Sequence, residues 1–285
     1  VGDLAWAAGD SQARGFLLGA TAGRTTLNGE GLQHQDGHSH VQAGLIPNCV
    51  TYDPTYGYEV AVIVRDGLRR MYEENESIFY YMTLMNENYQ HPALPEGNDV
   101  TDQIIKGIYK LETVTPKKKA KANVQLMGSG TILQKVREAA QILSADYGIS
   151  SDVYSVTSFN ELARDGQDVT RWNMLHPESK QKQAYITGVI TRENGPAIAA
   201  TDYIKSYSDQ VRGFIDTEYR CLGTDGFGRS DSRANLRTHF EVNAAYVVVA
   251  ALFELANRGD IKRSVVSDAI KHFNIDTEKL NPLYA

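Results

Sequence analysis

An α/β fold, with mostly parallel sheets flanked by helices, is what this 285-residue sequence predicts. Short apolar runs without a charged residue, such as Phe16–Leu17–Leu18–Gly19 and Ala197–Ile198–Ala199–Ala200, have the length of buried strands. They alternate with longer stretches at helical spacing, the pattern of a parallel sheet covered on both faces. A composition shift at Thr113–Asn123, with Pro116 and the run Lys117–Lys118–Lys119, divides the chain into two such segments, 1–113 and 114–285.

In chain order, Asp3 opens an amphipathic helix predicted to run to about Arg14, followed by the strand Phe16–Gly19. A polar loop spans Arg24–His40, and a short strand follows at Asn48–Tyr52. Asp53 and Pro54 open a helix reaching about Glu73, with apolar positions at Val60, Val64 and Leu68. Ile78–Leu84 is apolar and aromatic, as suits a strand buried on both faces. Beyond the basic linker, Val124–Met127 reads as a strand, Gly128–Ser129–Gly130 as a turn, and Thr131–Tyr147 as a helix with Ile132, Val136, Ala140 and Leu143 on one face. Strand Asp152–Val156, a helix from about Asn160 towards Pro177, and strands Ala197–Ala200 and Tyr219–Leu222 come next. Helices at about Asn243–Asn257 and Ile261–Phe273 close the chain.

A net charge of −6 leaves no basic footprint for nucleic acid. Cys49 and Cys221 lie far apart, without disulfide or metal-ligand spacing, which suits a reducing cytoplasm. No run approaches the roughly 20 apolar residues of a membrane span. The most apolar stretch, Ala244–Leu255, carries Tyr246 and Glu254 and reads as a core helix. The chain opens at Val1 without a methionine or signal pattern, directly into a helix, so a fragment or cleaved product is expected.

Chemistry concentrates in Arg24–His40, which holds three of the seven histidines (His34, His38, His40), together with Glu30 and Asp36, in a loop almost free of apolar residues. Three readings compete. A metal site draws on His34, Asp36, His38 and His40, but the spacing matches no helical His-Glu-x-x-His pair. A polar loop whose histidines satisfy backbone groups is the bland reading. Acid–base chemistry or recognition of a small anionic substrate ranks first, because imidazoles titrate near neutral pH. Elsewhere, Gly128–Ser129–Gly130 lacks a dinucleotide fingerprint and a P-loop lysine, and reads as a tight turn. The polar loop Gly223–Arg233 offers Arg229 and Arg233 for phosphate, or a structural set of charge pairs. No Gly-x-Ser-x-Gly elbow is present.

The run Arg24–Thr25–Thr26–Leu27–Asn28–Gly29–Glu30–Gly31–Leu32–Gln33–His34, followed by Asp36–Gly37–His38–Ser39–His40, resembles the active-site signature of the homodimeric bacterial pyruvate dehydrogenase decarboxylating subunit. Asn86–Glu87–Asn88–Tyr89, Ser155–Phe159, Glu161–Gly166, Gly223–Ser232 and Phe273–Asp276 extend the resemblance over essentially the whole chain. That family is transketolase-like. The resemblance implies part of a thiamine-diphosphate-binding (pyrimidine) domain in 1–113 and a transketolase C-terminal-like domain in 114–285. It further implies oxidative decarboxylation of pyruvate on thiamine diphosphate and magnesium, with the acetyl group passed to a lipoyl group. The implied partners are a second copy of the subunit and the lipoyl domains of a dihydrolipoyl acetyltransferase core.

By the same resemblance His34 hydrogen-bonds or protonates the pyruvate-derived intermediate and Glu30 positions it, while His38 and His40 share the signature. Position 35 is glutamine where some family members carry an acid. The family's metal–diphosphate motif does not occur in the chain, and its aminopyrimidine-activating glutamate belongs to upstream sequence. The expectation is therefore half of an active site, with no tight cofactor binding and no activity in the isolated chain. The alternatives are a non-catalytic assembly or proteolytic fragment, a transketolase-type enzyme acting on sugar phosphates, and a metal-dependent hydrolase built on the histidine loop.

Overall fold

The computed structural model describes residues 2–97 and 99–285; Val1, where the sequence opens, lies outside them. Helix α1 (Gly2–Asp10) stops four residues short of the predicted end, because Ser11–Gly15 turns the chain and Gln12 takes a positive φ of 56°. Strands β1 (Phe16–Ala20), β2 (Cys49–Tyr52) and β3 (Phe79–Leu84) form an all-parallel sheet in the order β1-β3-β2. The central strand β3 is buried on both faces, as its unbroken aromatic pattern requires. Between them lie α2 (Ser39–Gly44), at the end of the histidine loop, and α3 (Gly57–Leu68). The latter begins four residues after Asp53 and continues through a wide turn to Glu73.

Two elements escape the sequence pattern: α4 (Val100–Lys106) and β4 (Ile108–Val114). Gly107, at a φ of +107°, joins them, and a side chain there would collide with the Ser158 carbonyl. Strand β4 pairs antiparallel with β6 (Ser150–Val156), so residues 108–113, grouped by composition with the first segment, hydrogen-bond into the second sheet. The exposed Lys117–Lys119 run is a loop between two strands of one sheet.

That second sheet has the order β4-β6-β5-β7-β8, with β5 (Asn123–Gly128), β6 (Ser150–Val156), β7 (Ala197–Ala200) and β8 (Tyr219–Leu222) parallel. Side chains alternate across it. Leu126, Val153 and Ile198 face α5 (Leu133–Ile142) and α10 (Ala244–Arg258), whereas Met127, Tyr154 and Ala199 face α6 (Phe159–Leu175). Each such fully buried aliphatic side chain stabilises the fold by about 1.5–3 kcal/mol. Ser158 caps α6 by accepting from the Glu161 N–H at 3.0 Å, and Phe159, Leu162, Ala163 and Gly166 form its buried stripe. The short helices α7 (Tyr185–Val189) and α8 (Lys205–Asp209) lie near the same face, and α9 (Arg233–His239) and α11 (Arg263–His272) flank α10.

The run Arg233–Arg258 is apolar and long enough to cross a membrane by composition, yet 61% of its most apolar window is buried in the protein. It is split into α9 and α10 by Glu241, at a φ of +63°, and by the Asn243 cap, which accepts from the Tyr246 N–H at 3.1 Å. It packs as core helix. The two sheets meet where α6 docks on β2 and α2: Asn160 donates to the His40 carbonyl at 2.9 Å and to Thr51 Oγ1 at 2.6 Å.

Candidate functional site

The histidine loop leaves β1 and crosses the carboxyl ends of β5, β7 and β8 before returning through α2. Its first residues are buried. Asp202, one turn beyond β7, accepts four hydrogen bonds: Oδ1 from the Thr25 N–H at 2.9 Å and the Thr25 hydroxyl at 2.6 Å, and Oδ2 from the Thr26 N–H at 3.1 Å and the Thr26 hydroxyl at 2.6 Å. Gly23, at a φ of +91°, has no room for a Cβ against the same carboxylate. Arg24 donates to the Thr224 and Gly226 carbonyls of the loop after β8. Arg237 on α9 donates to Thr25 Oγ1 at 3.3 Å and pairs with Glu87.

The middle of the loop is exposed, and there the structure places Glu30, His34 and His38. Leu32–His34 forms a single 3₁₀ turn, and Gln35 behind it is buried. Gln35 donates to the Leu27 carbonyl at 3.4 Å and accepts the Arg229 N–H at 2.7 Å, which ties the histidine loop to Gly223–Arg233. A glutamine serves both bonds; an ionised acid would serve only the second. Asp36 accepts from the N–H groups of His38 and Ser39 at 3.1 and 3.0 Å, so it starts α2 rather than completing a ligand set.

His40 is separated from the other three. It is entirely buried, stacked on Tyr207 with ring centroids 4.8 Å apart and edge-on to Tyr203 at 4.7 Å. Its Nε2 lies 2.8 Å from Thr83 Oγ1, which donates to Asp53 Oδ1 at 2.7 Å; Ser129 donates to Asp53 Oδ2 at 2.6 Å. Burial holds the His40 imidazole neutral, lowering its pKa to about 3, and pushes the Asp53 carboxyl up to about 7. In this arrangement His40 joins the two sheets. The turn Gly128–Ser129–Gly130 reaches the same junction through Ser129, and Gly130 takes a positive φ of 51°.

Arg233 turns away from a phosphate role: its guanidinium donates to the Thr26 carbonyl at 2.8 Å, and its N–H donates to Asn28 Oδ1 at 3.2 Å. Asp202 and Arg237, which grip the loop, carried no local signal in the sequence. Only the rule that polar side chains just past parallel strands face a site points to Asp202.

Residues 1–92 match the family model described as the pyruvate dehydrogenase E1 component middle domain, and residues 107–243 match the transketolase-like TK C-terminal domain. Among solved structures, transketolase from Campylobacter jejuni shares the fold with a TM-score of 0.61 at 19% identity, covering 88% of this chain and 33% of that one. Fold and matches together define a transketolase-like α/β chain. At 63% identity over 287 residues, it is similar to the pyruvate dehydrogenase E1 component of Escherichia coli, with 100% of this chain and 32% of that protein covered. The counterpart from Pseudomonas aeruginosa is 61% identical, with 99% and 32% covered. The chain belongs to the pyruvate dehydrogenase E1 component family. It spans about a third of the length of these relatives.

Thiamine diphosphate, which the fold family implies, can be tested against the donors present. Among the described residues no group of three or more His, Cys, Asp or Glu is placed to hold a metal ion. What they provide is an exposed imidazole and carboxylate set on a rigidly anchored loop.

Proposed function

We propose that this chain forms part of a subunit that decarboxylates pyruvate oxidatively, using thiamine diphosphate and magnesium, and acetylates lipoyl groups. The subunit works as a cytoplasmic homodimer with a dihydrolipoyl acetyltransferase core. The observation that carries the reading is the exposed Glu30–His34–His38 segment, held from below by buried bonds, in a chain so similar to pyruvate dehydrogenase E1 components.

In this reading His34 offers an imidazole N–H to the pyruvate-derived oxygen or moves a proton to it, and Glu30 orients that imidazole. His38 stands at the start of α2 as a further polar contact. His40, entirely buried and neutral, touches no substrate and holds the end of the loop. The chain by itself binds no cofactor tightly, because the metal–diphosphate donors lie on other sequence.

The test is pyruvate turnover by the full-length subunit with thiamine diphosphate, magnesium and an artificial electron acceptor. His34→Ala is expected to lower the rate roughly a hundredfold or more. Unchanged turnover in the variant would remove His34 from the chemistry, and turnover of sugar phosphates in place of pyruvate would overturn the substrate.

A further inference from the structure

The second sheet has a topological switch point. From β5 the chain proceeds to β6 on one side and then to β7 on the other, so the carboxyl ends of β5 and β7 flank a crevice. In open α/β sheets this crevice is where ligands bind. Here the chain's own loop fills it. Thr26 Oγ1 lies 2.7 Å from Thr131 Oγ1, just past β5, and 2.6 Å from Asp202 Oδ2, just past β7. The carbonyl of Asp202 accepts from the Arg24 N–H at 3.3 Å and from the Thr224 hydroxyl at 2.9 Å. Thus one fully buried residue receives six hydrogen bonds, five of them from Arg24, Thr25 and Thr26.

The remaining anchors of the loop come from the neighbouring segment that follows β8. Gly29 donates to the Asp231 carbonyl at 3.0 Å, and Gln35 accepts from Arg229. From Arg24 to Gln35, the partners outside the loop that fix its path are Asp202, Thr224, Gly226, Arg229, Asp231, Arg233 and Arg237, with Thr131 and Met85 beside them.

From this we propose that the switch-point crevice of the second sheet is a socket for the histidine loop, and that Asp202 is the positioning residue that sets where Glu30 and His34 stand. The proposal deepens the functional reading above and rests on it. Asp202 touches no substrate. It acts through His34, and its four side-chain bonds need both carboxylate oxygens to accept. Asparagine keeps the shape but replaces one acceptor with a donor.

The experiment uses the full-length subunit, assayed on pyruvate as above. Asp202→Asn is expected to lower kcat by about ten- to a hundredfold, the scale of a misplacement near 1 Å, with the KM for pyruvate within about twofold. The Thr25 and Thr26 amides should exchange at least about tenfold faster, while β5 and β7 amides stay protected. In a His34→Ala background the same substitution should cost almost nothing further, since the two act as a unit. Losses that multiply in the double variant, or Thr25 and Thr26 amides that keep wild-type protection, would overturn the socket. Should Asp202→Asn not fold, Thr26→Val removes one of the four side-chain bonds and is carried through the same measurements, with a smaller loss in the same pattern. A wild-type subunit that turns over another substrate in place of pyruvate defeats the functional reading alone. The His34–Asp202 coupling on that substrate then decides the socket.

Discussion

His40 and Asp53 share Thr83 through bonds of 2.8 and 2.7 Å, both are fully buried, and burial drives both towards their uncharged forms. Their effects on stability have opposite signs. Asp53 titrates at about 7 in the fold against an ordinary 3.8, so between those values the folded chain keeps a proton that the unfolded chain releases. Stability from this group is complete below about pH 4 and is lost as pH rises towards 7. His40 titrates at about 3 against 6.5, so between those values the unfolded chain takes up a proton that the folded chain refuses. Stability from this group is lost as pH falls from 6.5 towards 3.

Each slope amounts to about 1.4 kcal/mol per pH unit, and between pH 4 and 6.5 the two cancel. Asp53→Asn removes one of them. Relative to wild type, the variant should gain stability with rising pH, on the order of 3 kcal/mol between pH 4.5 and 6.5. His40→Gln should show the reverse slope over the same window. Urea unfolding at half-unit pH steps, followed by circular dichroism, measures both difference curves. Difference curves that run flat from pH 4.5 to 6.5 would refute the paired-neutral account, whatever the absolute loss of stability.

Two further outcomes follow from buried groups. Glu59 is enclosed and accepts from the N–H groups of Thr55 and Tyr56 and the hydroxyls of Tyr109 and Ser155, so Glu59→Ala should destabilise the chain by roughly 3–5 kcal/mol in urea unfolding. Burial pushes the Cys49 thiol up to about 12 and the Cys221 thiol up to about 11, so neither should react with iodoacetamide at pH 8 until urea is added.

The strands were legible where sequence pattern and burial agree: Phe79–Met82 and Ala197–Ala200 are apolar or aromatic without interruption because both their faces are largely covered. Strand β4 was not, because an edge strand mixing Lys110, Glu112 and Thr113 with apolar residues looks like linker until its partner is known. The exposed part of the site, Glu30, His34 and His38, was legible as a cluster of chemistry-bearing residues in one loop. The burial of His40 was not, since Tyr81 and Thr83 reach it from β3, and Tyr203 and Tyr207 from the segment after β7. Asp202 and Arg237 stand 177 and 212 residues from Thr25, beyond the reach of any local pattern.

That separation has a meaning in time. A ribosome adding about 5–20 residues per second emits Thr25 roughly 10–35 seconds before Asp202, and Arg237 later still. Until then the loop has no crevice to enter, and its threonine hydroxyls and amides are left to water. The first sheet can assemble early, but the histidines acquire their places only when the last third of the chain has emerged and closed beneath them.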